Sequence, residues 1–330
     1  MKIRPVLLAA LVSTLALAAC GTTDPATTDG SDEAAAAGGE PITVTDARGQ
    51  EVTLPDGPAT EVVTLEWAST EYVTALGVQP VGASDVEGYG SWASAAPLAD
   101  GVTDVGLRTE PSIEAVASLE PDLILGDTTS IPEDAMAQME QIAPVVLLEG
   151  ARTDGLVELL KENQSLVGQL LGKEAEAEAL NAEFDTRIEE LAGEVEAAGK
   201  AGTPMVFTYP SAASNSVDIR MHGPGSAPGT LATLLGLENA WTEPGDEAYG
   251  ISSSDVEGLT RLPEDTEFLY WGNEGTEDAV TTVLADNAVW QGLPFVQAGR
   301  VHRSGVGIWV YGGTPSLVQL AEDITTQVTS

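Results

Sequence analysis

The sequence predicts an α/β protein of two lobes, each with a central parallel sheet, joined by a long helical connection. Three observations carry this reading. Strand-like and helix-like segments alternate from Ile42 to Leu148. The alternation resumes after Pro204. Between them, residues 154–199 keep a helical pattern throughout. Strand–helix–strand alternation marks a parallel sheet, because parallel neighbours need a crossover connection.

The segment ITVTDARGQEVTLP (Ile42 to Pro55) alternates apolar and polar residues about Arg48-Gly49 and predicts a hairpin. EVVTLEW has a buried-strand core, Val62 to Leu65, and is followed by the helical run STEYVTALG and the short strand of VQPVGASD. PSIEAVASLEPDLILG predicts a helix from Pro111 to Leu119, with Pro in its first turn, then a strand from Asp122 to Leu125. SIPEDAMAQMEQIAPVVLLEG adds a further helix and strand. The N-terminal lobe is thus expected over residues 41–153.

In the connector, residues 154–199, Asp154 is the expected N-cap. Leu156, Leu160, Val167, Leu170 and Leu171 form one apolar stripe, and Gly172-Lys173 interrupts it. Leu180, Phe184, Ile188, Leu191 and Val195 form a second. A helix of about 25 residues after Lys173 would span roughly 38 Å. A coiled-coil dimer is the competing reading, but the stripe is too short and irregular for sustained heptads, so a monomer is expected. The C-terminal lobe, residues 200–330, opens with the strand PMVFTYP, followed by the helical GTLATLLGLENAW. The short helix SDVEGLTRL, the strand TEFLYWG, a helix–loop–strand over VLADNAVWQGLPFVQAGRVHRS and the closing helix TPSLVQLAEDITTQV complete it.

The N-terminus reads as an address. Lys2 and Arg4 precede an uncharged apolar stretch from Val6 to Ala19, the layout of a signal peptide over residues 1–19. The stretch is shorter than the ~20 apolar residues of a spanning helix. Leu17-Ala18-Ala19-Cys20 resembles the bacterial lipobox, which implies lipidation of Cys20. Residues 20–40 have no large apolar side chain and predict a flexible tether. Cys20 is the single cysteine, so no intrachain disulfide can form.

Charge and composition exclude several functions. The 330 residues hold 13 Lys and Arg against 52 Asp and Glu, a formal charge of −39, and loss of Lys2 and Arg4 with the signal takes it to −41. Such a chain is no non-specific nucleic-acid binder and does not adsorb on anionic lipid. With 43% hydrophobic residues it can still bury a core, so the acids must lie mainly on the surface. Only two histidines, His222 and His302, are present, which argues against a His-rich metal site. No G-x-S-x-G elbow occurs, and GPGSAPG (Gly223 to Gly229) lacks the Lys of a phosphate loop.

Three segments then resemble one family in order. VGLRTEPSIEAVASLEPDLILG (Val105 to Gly126) is similar to the signature stretch of periplasmic iron–siderophore binding proteins, the FecB/FhuD-like substrate-binding proteins of ABC importers. EVVTLEWASTEYVTALGVQPVGAS resembles their first βα unit, and NAVWQGLPFVQAGRVHRSGVGIW (Asn287 to Trp309) their C-terminal segment. The resemblance covers about residues 42–328. It implies a class III periplasmic-binding-protein-like fold: two Rossmann-like lobes hinged on a long backbone helix, with a shallow cleft between them. It also implies a ferric siderophore as ligand, no cofactor and no catalysis. Delivery would be to an ABC permease and its ATPase, with the membrane reached by the lipid anchor alone.

A siderophore already fills the coordination sphere of its iron, so no protein metal ligands are expected. The protein should offer cations to chelate oxygens and aromatic faces to the organic shell. Arg108 follows a predicted strand end, where α/β clefts open, and the resemblance makes its equivalent a siderophore contact. An exposed loop arginine is the alternative. Arg220, in VDIRMHG, is the matching cation from the second lobe or else a strand-edge surface residue, and Arg303 is a third candidate. Trp67, Tyr209 and Trp271 close predicted strands and Trp309 sits in a late loop, so all four are expected at the rim, with core packing the competing role. Trp241 and Trp290 read as structural, while Tyr89 and Trp92 lie in a Gly-rich stretch that would suit a lid.

Glu114 in PSIEAV and Glu257 in SDVEGL lie one in each lobe, and the resemblance makes them the acids that meet permease arginines. Solvated helical glutamates are the alternative. GLRTEP most resembles binders of hydroxamate or citrate-type siderophores. Cobalamin or haem is the alternative ligand, with Tyr209 or His302 as a haem axial group. An anchored cell-wall enzyme or adhesion module is the alternative from another class.

Overall fold

A computed structural model describes residues 39–213 and 216–330. The expected signal peptide, Cys20 and the tether up to residue 38 lie outside them. No helix among the described residues is long and apolar enough to cross a membrane.

The chain begins with the expected hairpin, β1 (Ile42–Thr45) and β2 (Glu51–Leu54), which turns through Gly49 at φ 72°. Arg48 in that turn is paired with Asp46 and Glu140 and donates to the Val145 carbonyl, pinning the hairpin to the sheet edge. Next come β3 (Val62–Thr64), α1 (Trp67–Ala75), β4 (Gly82–Ala83), α2 (Val86–Trp92) and β5 (Thr103–Asp104). A small antiparallel ribbon, β6 (Gly106–Leu107) with β7 (Glu110–Pro111), leads into α3 (Ile113–Ser118), β8 (Leu123–Asp127), α4 (Glu133–Met139) and β9 (Val145–Leu148). The sheet order is β5-β4-β3-β8-β9, all parallel. Strands β3, β8 and β9 are buried along their length, which is why each reads as an uninterrupted apolar run. Pro111 belongs to β7 rather than to the helix, which Ser112 caps through the Ala115 N–H.

The connector is a helical hairpin, α5 (Leu156–Leu171) and α6 (Glu174–Ala197). Gly172, at φ 63°, ends α5, as a left-handed glycine commonly does. The expected Asp154 cap is not used: Gly155 takes the N-cap position in a left-handed conformation. Helix α6 buries Ala177, Phe184, Ile188, Leu191 and Val195, and its 24 residues span about 36 Å.

The second lobe contains β10 (Pro204–Ala213), β11 (Ser216–His222), α7 (Ala227–Leu234), β12 (Glu238–Asn239), β13 (Ile251–Ser254) and β14 (Glu267–Tyr270). Short helices α8 (Ala279–Thr282), α9 (Ala288–Gly292) and α10 (Pro294–Gln297), strand β15 (Val301–Arg303) and the long α11 (Thr314–Thr329) complete it. Here the wholly parallel expectation fails. The order is β13-β11-β10-β14-β15, and β11 and β13 run antiparallel to their neighbours. Two residues separate β10 from β11, too few for a crossover, so β11 must return as a hairpin.

The lobes meet through a buried carboxylate. Glu71 of α1 accepts from the Ser316 N–H at 2.8 Å and from Ser316 Oγ at 2.6 Å, in the first turn of α11. A carboxylate there satisfies orphan donors and complements the helix dipole. Around it, Ser94 N–H donates to the Gly307 carbonyl and Asn273 Nδ2 to the Ser91 carbonyl, both at 2.9 Å. Burial pushes the Glu71 pKa above its ordinary 4.5, against the opposing Ser316 bonds. A carboxyl with a raised folded pKa contributes stability below about pH 4.5 that is lost as pH rises through the folded value. Urea-unfolding free energies should therefore show Glu71→Gln gaining on the wild type between pH 5 and pH 8. A difference independent of pH would disprove the assignment.

Candidate functional site

Parallel strands deliver their C-terminal residues to one edge of a sheet, and in the first lobe that edge opens on a cleft of about 460 Å³. Three adjacent strands each end in an acid that lines it: Glu66 after β3, Asp127 closing β8 and Glu149 after β9. Arg108 enters from the two-residue turn between β6 and β7. The ribbon starts at Gly106, whose φ of 106° favours glycine, with Ser112 N only 3.1 Å from any added Cβ. The second lobe contributes Arg220 from β11, Asp246, Tyr249, Trp309 and Tyr311.

Arg108 is held on two sides. One guanidinium nitrogen donates to Glu66 at 2.8 Å, and the plane lies 4.1 Å from the Trp67 ring and 5.4 Å from Trp309. This combines a charge-assisted bond with a cation–π contact and leaves other N–H groups toward the cleft. Burial raises the Glu66 pKa, Arg108 opposes the shift, and nearby Asp127 adds to it. Behind Arg108 the indoles interlock: Trp67 to Trp309 at 4.7 Å, Trp309 to Trp271 at 5.8 Å, and Trp271 to Trp92 at 5.0 Å. Trp271 Nε1 donates to the Ile308 carbonyl. Trp309 Nε1 is buried with no acceptor, a donor lacking the partner that buried polar groups ordinarily have.

Arg220 is placed by register. It stands opposite Tyr209 in the β10–β11 pair, with its guanidinium 5.6 Å from that ring, and it donates to Tyr311 Oη at 3.4 Å. Tyr311 lies 3.5 Å from His222 Nε2, and His222 Nδ1 lies 3.2 Å from the Phe207 carbonyl. A carbonyl only accepts, so Nδ1 carries the proton and Nε2 accepts from Tyr311. The phenol is thereby oriented from both sides.

The structure gathers Arg108, Arg220 and Trp309 in the cleft wall. Trp67 and Trp271 do not reach the lining; both are buried as the packed layer behind it. Tyr209 sits beside the cleft, at 5.3 Å from Trp271 and under Arg220. Tyr89 is no lid: it lies within α2, wholly buried, with its hydroxyl bonded to the Ala96 carbonyl. Trp92 joins the indole cluster. Trp241 and Trp290 are buried in the second-lobe core. Arg303 lies 3.8 Å from Asp278, away from the cleft. His302 pairs with Glu267 at 2.8 Å and does not line the cleft, so it offers no axial group there. Glu114 and Glu257 are exposed on separate lobes, Glu257 as the residue that precedes a 3₁₀ turn rather than within a helix. Among the described residues no three His, Cys, Asp or Glu side chains group as metal ligands.

Glu66, Asp127, Asp246, Tyr249, Tyr311 and His222 escape sequence reasoning. One more acid among 52 gives no signal, although Glu66 and Asp127 do stand where buried strands end. Burial pushes the His222 pKa down to about 4, with Arg220 adding to the shift. Nitrogen NMR should therefore find its ring neutral, protonated at Nδ1, across about pH 5 to 8. Titration near the ordinary 6.5 would contradict the orientation of Tyr311.

With this geometry in place, the chain compares with known proteins as follows. The family model described as "Periplasmic binding protein" matches residues 62–304. The iron(3+)-hydroxamate-binding protein FhuD of Escherichia coli is 30% identical over 248 residues, 73% of this chain and 78% of that protein. The probable siderophore-binding lipoprotein YfiY of Bacillus subtilis is 27% identical over 264 residues, 76% and 77% of the two chains. Among solved structures, the Fe3+–Desferal-bound siderophore-binding protein FhuD of Vibrio cholerae superposes with a TM-score of 0.73 at 32% identity, covering 82% of this chain and 98% of that one. The petrobactin-binding protein YclQ of Bacillus subtilis shares the fold, with a TM-score of 0.72 at 20% identity over 88% and 99% of the two chains. A match over most of the chain, on two α/β lobes spanned by a long helix, shows that this protein belongs to the periplasmic binding protein family.

Proposed function

We propose that this protein binds a ferric siderophore of the hydroxamate type outside the cytoplasmic membrane and passes it to an ABC importer. The observation that carries the reading is the pairing of Arg108 and Arg220 across one cleft, backed by interlocking indoles. Each guanidinium is a donor to oxygen, and each stands beside an apolar aromatic face. A ferric hydroxamate presents the complement: iron already wrapped in oxygens, inside an organic shell. Guanidinium forks suit chelate oxygens because several N–H groups converge on one acceptor plane.

Charge separates hydroxamate from citrate. Three monoanionic hydroxamates cancel the charge of Fe3+, whereas citrate complexes retain negative charge. A cleft lined by Glu66, Asp127, Glu149 and Asp246 against Arg108 and Arg220 suits the uncharged chelate. The hydroxamate relatives of Escherichia coli and Vibrio cholerae support the same choice. The iron is cargo held by its chelator, so the protein acts by binding, without a catalytic step or a resident cofactor.

Cys20, outside the described residues, supplies the lipid anchor in this reading, and the periplasmic and lipoprotein relatives place such chains beyond the cytoplasm. Glu114 and Glu257, exposed on separate lobes, would meet cationic groups on the permease.

Tryptophan-fluorescence titration with ferric trihydroxamates tests the ligand, because Trp67, Trp92, Trp271 and Trp309 form one quenchable cluster. Arg108→Ala should weaken binding by roughly 1–3 kcal/mol through loss of a charge-assisted bond. Wild-type affinity in that variant would remove Arg108 from the site. Charge reversal by Glu114→Lys or Glu257→Lys should spare ligand binding and impair uptake. Normal uptake in both would sink the docking role.

A further inference from the structure

Asp127 is the anomaly of the cleft. It is only 7% exposed, yet no Lys, Arg or His among the described residues pairs with it. Its other acidic neighbours are compensated: Glu66 by Arg108 at 2.8 Å, Glu149 by Arg152 at 3.6 Å, and Asp246 by the N–H groups of Ala248, Tyr249 and Ile251. Asp127 Oδ1 accepts from Thr129 N–H, Thr129 Oγ1 and Ser130 Oγ at 2.7–3.0 Å. No hydrogen bond from a described residue reaches Oδ2. Oδ1 is satisfied by hydrogen bonds, as Glu71 is, and Oδ2 is left to take a cation from the cleft.

The chain comes close to Oδ2 at a residue without a side chain. Gly150 faces it, and an added Cβ there would lie 3.1 Å from Asp127 Oδ2 and 3.7 Å from Tyr249 Oη. The φ of Gly150 is not in the left-handed region, so its backbone does not demand glycine. What the missing side chain does is keep Oδ2 and the Tyr249 phenol uncrowded at the cleft wall. Trp309 and Tyr249 line the same wall. The cleft thus offers guanidinium donors for oxygens, from Arg108 and Arg220, and one carboxylate with no cationic partner among the described residues.

We propose that Asp127 takes a ligand ammonium group, so that the cleft selects ferric hydroxamates carrying a protonated primary amine over uncharged and anionic chelates. This deepens, and rests on, the ferric-hydroxamate reading. The amine docks beside Gly150 against Asp127 Oδ2 and Tyr249 Oη, while the iron-bound oxygens face Arg108 and Arg220. Glu66 lies close enough to Asp127 for the two carboxylates to feel one another, which further favours a cation between them.

Fluorescence titration of the full chain with three probes tests this: ferric desferrioxamine B, which ends in a primary amine; its N-acetyl derivative, the same chelate without that charge; and ferric citrate. The wild type should prefer the amine over the acetylated form by about tenfold at low salt, and ferric citrate should bind weakest. Asp127→Asn keeps an oxygen for Thr129 and Ser130 but removes the charge, and should bring the amine-to-acetyl ratio to about one. Gly150→Ala, which crowds Oδ2 and keeps the charge, should shrink the ratio as well. Equal binding of both hydroxamates by the wild type overturns the proposal, as does an undiminished ratio in the two variants. Binding of neither hydroxamate overturns the ligand reading and this inference together.

Discussion

The geometry of the cleft hangs on the buried contact between Glu71 and the first turn of α11. A carboxylate from one lobe fills the donor-rich end of a helix in the other. The residues just before that helix run from Trp309 through Tyr311 to Gly313, so the same contact sets where Trp309 and Tyr311 meet the first lobe. Gly313 has no room for a side chain, since an added Cβ would come within 2.9 Å of the Tyr72 ring. The Trp67–Trp309 packing and the stacking of Arg108 on both rings are downstream of that joint. A change in lobe angle therefore alters the ligand wall directly.

The scarcity of cations gives each arginine in the cleft an unusual amount of support. Arg108 is fixed by an acid and two indoles, Arg220 by two phenols and a neutral histidine behind one of them. Long flexible side chains lose rotamer entropy when they bind, and holding them beforehand lowers that loss. His222 can serve only while neutral, since a charged ring would donate at both nitrogens and repel Arg220. Burial ensures that state, so the pKa shift of His222 and the pose of Arg220 are two consequences of one packing arrangement.

Much of this was legible in the sequence, and the physical reasons mark where legibility stopped. The buried strands β3, β8 and β9 announced themselves as apolar runs, and Gly172 announced the break between α5 and α6. Arg108 was readable because a strand end and a family-like stretch coincide there. The antiparallel β11 was not, because hydrophobic pattern does not encode strand direction; only the two-residue spacing to β10 does. Trp67 and Trp271 belong to the expected cluster but stand one layer behind the cleft wall, since position at a strand end does not say whether another ring will cover the first. The Gly-rich stretch around Tyr89 suited a lid, yet the Tyr89 ring fills the core.

The overall acidity takes on a different meaning once the cleft is known. Read as a bulk field, −39 opposes an anionic chelate and leaves the arginines to overcome it. The cleft itself does not reverse the sign: four acids line it against two arginines, and one of those acids has no cationic partner among the described residues. Long-range field and local lining thus act in the same direction. Both lower the encounter rate and affinity of a negatively charged complex and both favour a neutral or positive one. On the proposed reading, Arg108 and Arg220 are directional donors to chelate oxygens, and selection by charge falls to the strand-end carboxylates.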